Sequence, residues 1–172
     1  MKLKNINILY FLLLTGIIVF SCTNPFAPEL ANLKNEKPLF SDQTTIQGVF
    51  DNFRLAYQFK DTMMYGKLLD DNFVFSYRNY DKGIDNNWGR NEDMITTNGL
   101  FRAAQSLDLI WNDVIISAGD SLIQDISRGF TLTIVFNPSD IVTVQGRVVL
   151  TMKRDSVSLP WKIAVWRDES NY

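Results

Sequence analysis

The chain has 172 residues, 46% of them apolar and 21% charged, with 17 Lys and Arg against 19 Asp and Glu and a formal net charge of −2. That length and balance suit one globular domain. There is no histidine and a single cysteine, Cys22. Their scarcity excludes Ser-His-Asp and Cys-His nucleophilic devices, an imidazole base, His-rich or Cys-rich metal sites and an intrachain disulfide.

Residues 1–21 read as a processing signal. Lys2 and Lys4 form a basic start, and the run from Ile8 to Phe20 is interrupted only by Thr15 and Gly16. Such a run matches a signal-peptide core and is short for a bilayer span of roughly 20 residues. Cys22 sits where it ends, and Val19-Phe20-Ser21-Cys22 resembles a bacterial lipobox, with an aliphatic residue at −3 and a small one at −1. Phe20 departs from the usual small residue at −2. The resemblance implies acylation of Cys22 and cleavage before it; the alternative is an ordinary secretory signal or uncleaved anchor with Cys22 incidental. Cleavage removes Lys2 and Lys4, leaving 15 basic against 19 acidic residues, a net of −4. Several acyl chains on one Cys anchor stably, at about 0.8 kcal/mol per buried methylene. Thr23 follows the Cys where an inner-membrane retention signal has Asp, so the expected location is the cell envelope, at the outer membrane. An acidic balance without a basic stretch argues against a nucleic-acid partner.

Residues 22–43 carry Pro25, Pro28 and Pro38 among polar residues and read as a tether, with the folded domain at 44–172. The alternative is that Phe26, Leu30, Leu33 and Phe40 pack onto the domain as an arm. Ile46, Val49, Phe50, Phe53 and Tyr57 recur at helical spacing, and a second short helix opens at Lys60-Asp61 with Asp61 as its N-cap. Phe73, Phe75 and Tyr77 alternate with Val74, Ser76 and Arg78, which marks a strand. Asn79 to Gly89, rich in Asp, Asn and Gly, reads as a loop, and a third helix is expected from Asn91 to Gln105, with Glu92 and Asp93 favourably charged in its first turn. Gly99 weakens that helix.

Four strands are then expected. Leu107 to Ser117 has a bulge at Asn112-Asp113; Phe130 to Phe136, Ile141 to Met152 and Trp161 to Arg167 follow. Strands after helices, joined by short turns, predict an α+β fold: a cone-shaped, curved antiparallel sheet wrapped around about three helices.

This order resembles the nuclear transport factor two-like superfamily, which includes ketosteroid isomerase, scytalone dehydratase and polyketide-cyclase-like proteins. The residues carrying the resemblance are Phe50, Phe53 and Tyr57; the passage Tyr65 to Phe75; Trp88-Gly89-Arg90-Asn91-Glu92; and the closing run Trp161 to Asp168. The resemblance implies a conical cavity in which member enzymes work with Asp, Tyr and often His. The family's His-Asp dehydratase pair is absent from this chain. Isomerase chemistry needs a carboxylate base facing a Tyr and a neutral carboxylic acid. No local motif here matches those positions, so no catalytic residue is carried over.

Read from the residues alone, the catalytic trio to consider is Tyr57, Asp113 at the bulge, and Asp168 on the last strand. Their ordinary readings are a core Tyr, a solvated turn acid and a strand-end charge. Tyr57, Trp88 and Trp111 are candidate wall residues for a small apolar ligand, Trp88 at the mouth. Trp161 and Trp166, five apart on one strand, point to opposite faces, so at most one enters the cone. Arg90 is a candidate anion contact at that mouth, or else a helix-start partner of Glu92 or Asp93. Val142, Val144, Val148 and Leu150 share one face and Thr143, Gln145 and Arg147 the other. If Trp166 joins the Val148/Leu150 face and that face is exposed, it marks a homodimer surface.

These features predict a lipid-anchored module that binds a small ligand without catalysis and requires no metal or cofactor. Two alternatives are an Asp/Tyr acid-base isomerase, cyclase or dehydratase, and an envelope assembly protein docking through its sheet. A cavity of roughly 300 Å³ or more with a buried carboxylate within reach of a Tyr favours the enzyme. A cavity lined only by aromatic and aliphatic groups favours binding, and a filled cone beside an exposed apolar sheet favours assembly.

Overall fold

A computed structural model describes residues 40–170. Helix α1, Ile46–Phe59, starts where the Thr45 hydroxyl accepts the Gly48 N–H and buries Val49, Phe50, Phe53, Ala56 and Tyr57 as one stripe. Lys60 ends it in the left-handed region at φ 55°. One residue later the Asp61 carboxylate accepts the Met64 N–H at 2.8 Å and opens α2, Thr62–Leu68. The sequence places both helices correctly because caps and apolar spacing are local signals.

Strand β1, Leu69–Asn79, follows without a loop. The expected loop 79–89 is a loop only in its first part, because Ile84–Gly89 forms strand β2, antiparallel to β1 from Asn79↔Ile84 to Val74↔Gly89. Asp85, Asn86 and Asn87 have low strand propensity. Here the β1 ladder and the stacking of Trp88 on Phe75, centroids 4.3 Å apart, override that propensity. Helix α3 spans Arg90–Ala103, and Gly99 lies on it with open space beside its Cα.

Strands β3 (Ser106–Gly119), β4 (Ile123–Asn137), β5 (Asp140–Lys153) and β6 (Lys162–Asp168) complete a six-stranded sheet in the order β2-β1-β6-β5-β4-β3. The α+β cone is as expected, with one refinement. The sheet is mixed, because β1 and β6 run parallel while every other pair is antiparallel. Strand β4 begins seven residues before the expected start at Phe130, at Ile123, where the Asp120 carboxylate holds the preceding turn through the N–H groups of Leu122 and Ile123. The expected bulge is present: register slips between Trp111 and Val114 and again before Ile116.

Register sorts the sheet's faces. Leu109↔Leu132↔Val144 and Ile126↔Leu150↔Trp166 are cross-strand rows on the concave face against the helices. Thr133↔Thr143 and Thr131↔Gln145 lie on the other face. Trp166 therefore does share the Val148/Leu150 face, but Val148 and Leu150 are buried. The apolar face considered as a homodimer surface is the inner wall of the cone.

The chain joins the domain before residue 44. Ser41 and Asn52 exchange two hydrogen bonds, Ser41 N–H to Oδ1 at 2.7 Å and Nδ2 to Ser41 O at 2.9 Å. Gln43 and Trp161 do the same, at 2.9 Å and 2.8 Å. A Cβ on Gly48 would lie 1.9 Å from the Asp42 carbonyl oxygen, so glycine permits this close approach. Arg154 binds the carbonyls of Thr44, Ser121 and Val157 and stacks on Trp161 at 4.2 Å. The boundary expected at residue 43 thus falls inside a segment stitched to the core. Cys22 and the expected signal and tether as far as residue 39 lie outside the described residues. Among the described residues no helix is long and apolar enough to cross a membrane.

Candidate functional site

Between the concave sheet and the helices lies a cavity of about 240 Å³. Helix α1 contributes Phe53 and Tyr57, α2 Tyr65, β1 and β2 Phe75 and Trp88, and α3 Asp93, Thr97 and Leu100. The sheet adds Leu109, Trp111, Phe130, Leu132, Val144, Trp166 and Asp168. The aromatic walls interlock: Phe53 stacks on Tyr57 with centroids 4.9 Å apart and meets Tyr65, Trp111 and Trp166 edge to face. The Trp111 indole N–H donates to Phe50 O at 3.1 Å, which fixes its plane. The Trp166 indole nitrogen is buried with no hydrogen-bond acceptor among the described residues, its ring edge-on to Phe53 and Phe75.

One polar cluster interrupts this lining. Asp93, in the first turn of α3, is 5% exposed. Its Oδ2 accepts the Tyr65 hydroxyl at 2.6 Å and its Oδ1 the Trp88 indole N–H at 3.1 Å. Burial raises the Asp93 carboxyl above its ordinary value, and those two hydrogen bonds oppose the rise without cancelling it. Burial also raises both phenols, Tyr57 further by the charge of Asp93 and Tyr65 by Tyr57 and Asp93 together, while the Thr97 side chain pulls each back. The phenols therefore remain neutral donors.

Asp93 is not among the site residues expected from the sequence. Its place in a helical first turn was legible, but its burial comes from Tyr65, 28 residues away, and Trp88 on a strand read as a loop. A faint signal existed in Trp88, the one indole in a polar run five residues before an acid.

Tyr57, Trp88, Trp111 and Asp168 all reach this cavity. Asp168 is half-buried at its rim, Oδ1 accepting the Ser170 N–H at 2.9 Å and its hydroxyl at 2.5 Å, and it also borders an outer polar cleft with Arg78, Arg147 and Arg167. Asp113 does not reach it. The bulge leaves Asp113 exposed on the outer half of β3, past Trp111. Arg90 turns away as well. Its guanidinium donates to Gly66 O at 2.9 Å across α2; of the two acids expected as its partners, Glu92 and Asp93, neither pairs with it among the described residues, and Asp93 is engaged by Tyr65 and Trp88. Trp161 packs outside the cavity, under Arg154. Among the described residues no group of three or more acidic, Cys or His side chains is placed to hold a metal ion.

No family model matches the sequence, and no curated protein matches it. Solved structures do match. One is a candidate scytalone dehydratase from Novosphingobium aromaticivorans, with TM-score 0.63 and 10% identity over 74% of this chain and 82% of that one. Another is the beta subunit of a candidate aromatic-ring-hydroxylating dioxygenase from the same organism, with TM-score 0.61 and 10% identity over 76% and 89%. A third, from Streptomyces avermitilis, is a candidate dehydratase of the nuclear transport factor two-like family, with TM-score 0.56 and 13% identity over 72% and 92%. At these identities the likeness is one of fold, and the fold is the nuclear transport factor two-like cone.

Proposed function

We propose that the domain binds a small, mainly apolar, ring-bearing ligand inside the cone, with the Asp93-Tyr65-Trp88 cluster meeting its polar substituent. The observation that carries this reading is a cavity of about 240 Å³ walled by aromatic rings around one buried carboxyl. A dry cavity of about 150 Å³ holds benzene, and drug-sized sites begin at roughly 300 Å³, so the volume suits one or two fused rings. Binding is favoured over catalysis because both Asp93 oxygens already accept hydrogen bonds, so the carboxyl is held in place rather than presented as a base.

The buried carboxyl 2.6 Å from a Tyr hydroxyl also supports the acid-base alternative. In that reading Asp93 donates a proton to a bound carbonyl oxygen and Asp168 accepts one from an adjacent carbon, an internal transfer that requires no co-reactant. Titration of the protein with 2-naphthol, followed by tryptophan fluorescence, tests the binding reading. Saturable quenching that is abolished by the cavity-filling Leu132→Trp supports it, and no quenching with a ligand-free native mass overturns it. For the enzyme, activity on any ketone that binds should vanish in both Asp93→Asn and Asp168→Asn; activity surviving both removes these acids from the mechanism.

Attachment to the outer membrane through acylated Cys22 belongs to the same proposal and rests on Lys2, Lys4 and the Val19-Phe20-Ser21-Cys22 run. Cys22→Ser should move the protein from the membrane to the soluble fraction, and unchanged fractionation overturns it.

A further inference from the structure

On the far side of α2 from the cone, a hollow of about 370 Å³ is bordered by three cations, Lys67, Arg90 and Lys162, against one acid, Asp71. Its remaining surface is mainly the apolar Met63, Leu69 and Met94. The concentration of positive charge is unusual in a chain whose acids outnumber its bases.

The cations converge from three elements. Lys67 is in the last turn of α2, Arg90 begins α3 and Lys162 begins β6. Arg90 donates one Nη to Gly66 O at 2.9 Å, and the Lys162 ammonium donates to Lys67 O. These contacts satisfy carbonyls at the C-terminus of α2, a structural role for one donor of each group. An ammonium has three donors and a guanidinium five, so both retain capacity. Arg90 Nε is buried with no partner, and the exposed Lys67 ammonium makes no hydrogen bond or ion pair among the described residues. Gly66 keeps the arrangement tight, since a Cβ there would come within 3.0 Å of Met94 Cε and 3.5 Å of the Arg90 guanidinium.

A helix end needing only neutralisation would not gather a third cation beside the other two. Burial depresses Lys162, and Arg90 and Lys67 depress it further against the pull of Asp71 and Asp70. Asp70 is itself engaged by Lys153 at 3.0 Å. A phosphate anion in the hollow would relieve this repulsion and take up free donors of the Lys67 and Lys162 ammonium groups, while the flexible methionines accept an attached carbon chain.

We infer that the hollow formed by Lys67, Arg90 and Lys162 over Met63 and Met94 is a second binding site, for a phosphate group carrying an apolar substituent. Such a group is supplied either by a soluble phosphate ester or by a phospholipid headgroup. The site shares no lining residue with the cone and does not depend on what the cone binds.

The test uses the full-length Cys22→Ser chain, so that acylation does not confound membrane binding. Inorganic phosphate and hexyl phosphate are titrated calorimetrically, alongside cosedimentation with vesicles of phosphatidylglycerol or of phosphatidylcholine. Lys67→Gln/Lys162→Gln removes two charges while keeping a donor for the Lys67 carbonyl, and the exposed Lys67→Glu serves as a second variant least prone to misfold. The expected result is hexyl phosphate binding tighter than inorganic phosphate, with both weakened at least roughly tenfold in each variant. Cosedimentation with phosphatidylglycerol in excess of phosphatidylcholine, lost in the variants, assigns the phosphate to lipid. Hexyl phosphate binding without that excess assigns it to a soluble ester. Absence of binding by either phosphate at millimolar concentration, or binding unchanged in both variants, overturns the inference.

Discussion

Asp93 shows how a single side chain changes meaning with its surroundings. In the sequence it is a helix-start acid whose charge suits the dipole; in the structure it is a buried carboxyl bound by a phenol and an indole. Its raised value means that the native state holds the proton to higher pH than the unfolded chain, where Asp titrates near about 3.9. The native state then binds more protons, so this group's contribution to stability falls as pH rises from that unfolded value through its raised folded one, and is constant above. Asp93→Asn removes the effect. The amide oxygen can accept from Trp88 and its NH₂ can donate to the Tyr65 oxygen, so the cluster stays satisfied. Urea denaturation across pH 3 to 8 should give a difference curve, variant minus native, that rises with pH and then levels. Asp42, Asp70 and Asp120, all lowered, act in the opposite direction in both proteins and cancel in that difference. Tyr65→Phe, by contrast, removes the 2.6 Å donor. It should destabilise by about 1.5–3 kcal/mol at neutral pH, measured by the same method, and raise Asp93 further.

At the scale of elements, caps, stripes and bulges are legible locally, whereas the early start of β4 at Ile123 is not. Thr45 and Asp61 cap α1 and α2, the apolar stripe of α1 faces the core, and the β3 bulge falls where the alternation slips. Strand β2 was missed because its propensity is poor and its pairing partner supplies the order. Trp88→Ala should therefore loosen that hairpin specifically, by removing both the Phe75 stack and a hydrogen bond to Asp93. Amide exchange at residues 84–89 is expected to accelerate while that of β4 and β5 stays slow. The arm before α1 has the same character, since its partners Asn52 and Trp161 are 11 and 118 residues from the groups they hold. Gly48→Ala gains about 1 kcal/mol of helix propensity, yet its methyl collides with the Asp42 carbonyl. Displacement of the arm should dominate, lowering the thermal midpoint and opening residues 40–44 to proteolysis.

For the whole molecule, the parallel β1·β6 pair joins the first and last strands of the domain and turns the apolar residues of β5 and β6 inward. The face considered as a partner surface becomes the wall of a cavity at Val148 and Leu150, while Val114, Ile115 and Ile116 on β3 stay exposed. Leu132→Trp, expected to fill the cone, should raise or preserve the thermal midpoint while abolishing ligand binding, which separates a functional void from a packing defect. What the sequence by itself determined is what short-range chemistry encodes: the caps and stripes of the helices, the alternation of the strands, and the loss of all imidazole chemistry. What only the tertiary structure decided is which polar groups meet in the dark. Asp93 joins Tyr65 and Trp88, Asp113 and Arg90 leave the cavity, and Lys67, Arg90 and Lys162 converge on a second hollow. Spacing reports which side of an element a residue faces, whereas burial and charge proximity arise from elements distant in sequence, and these control the chemistry of a carboxyl or an ammonium.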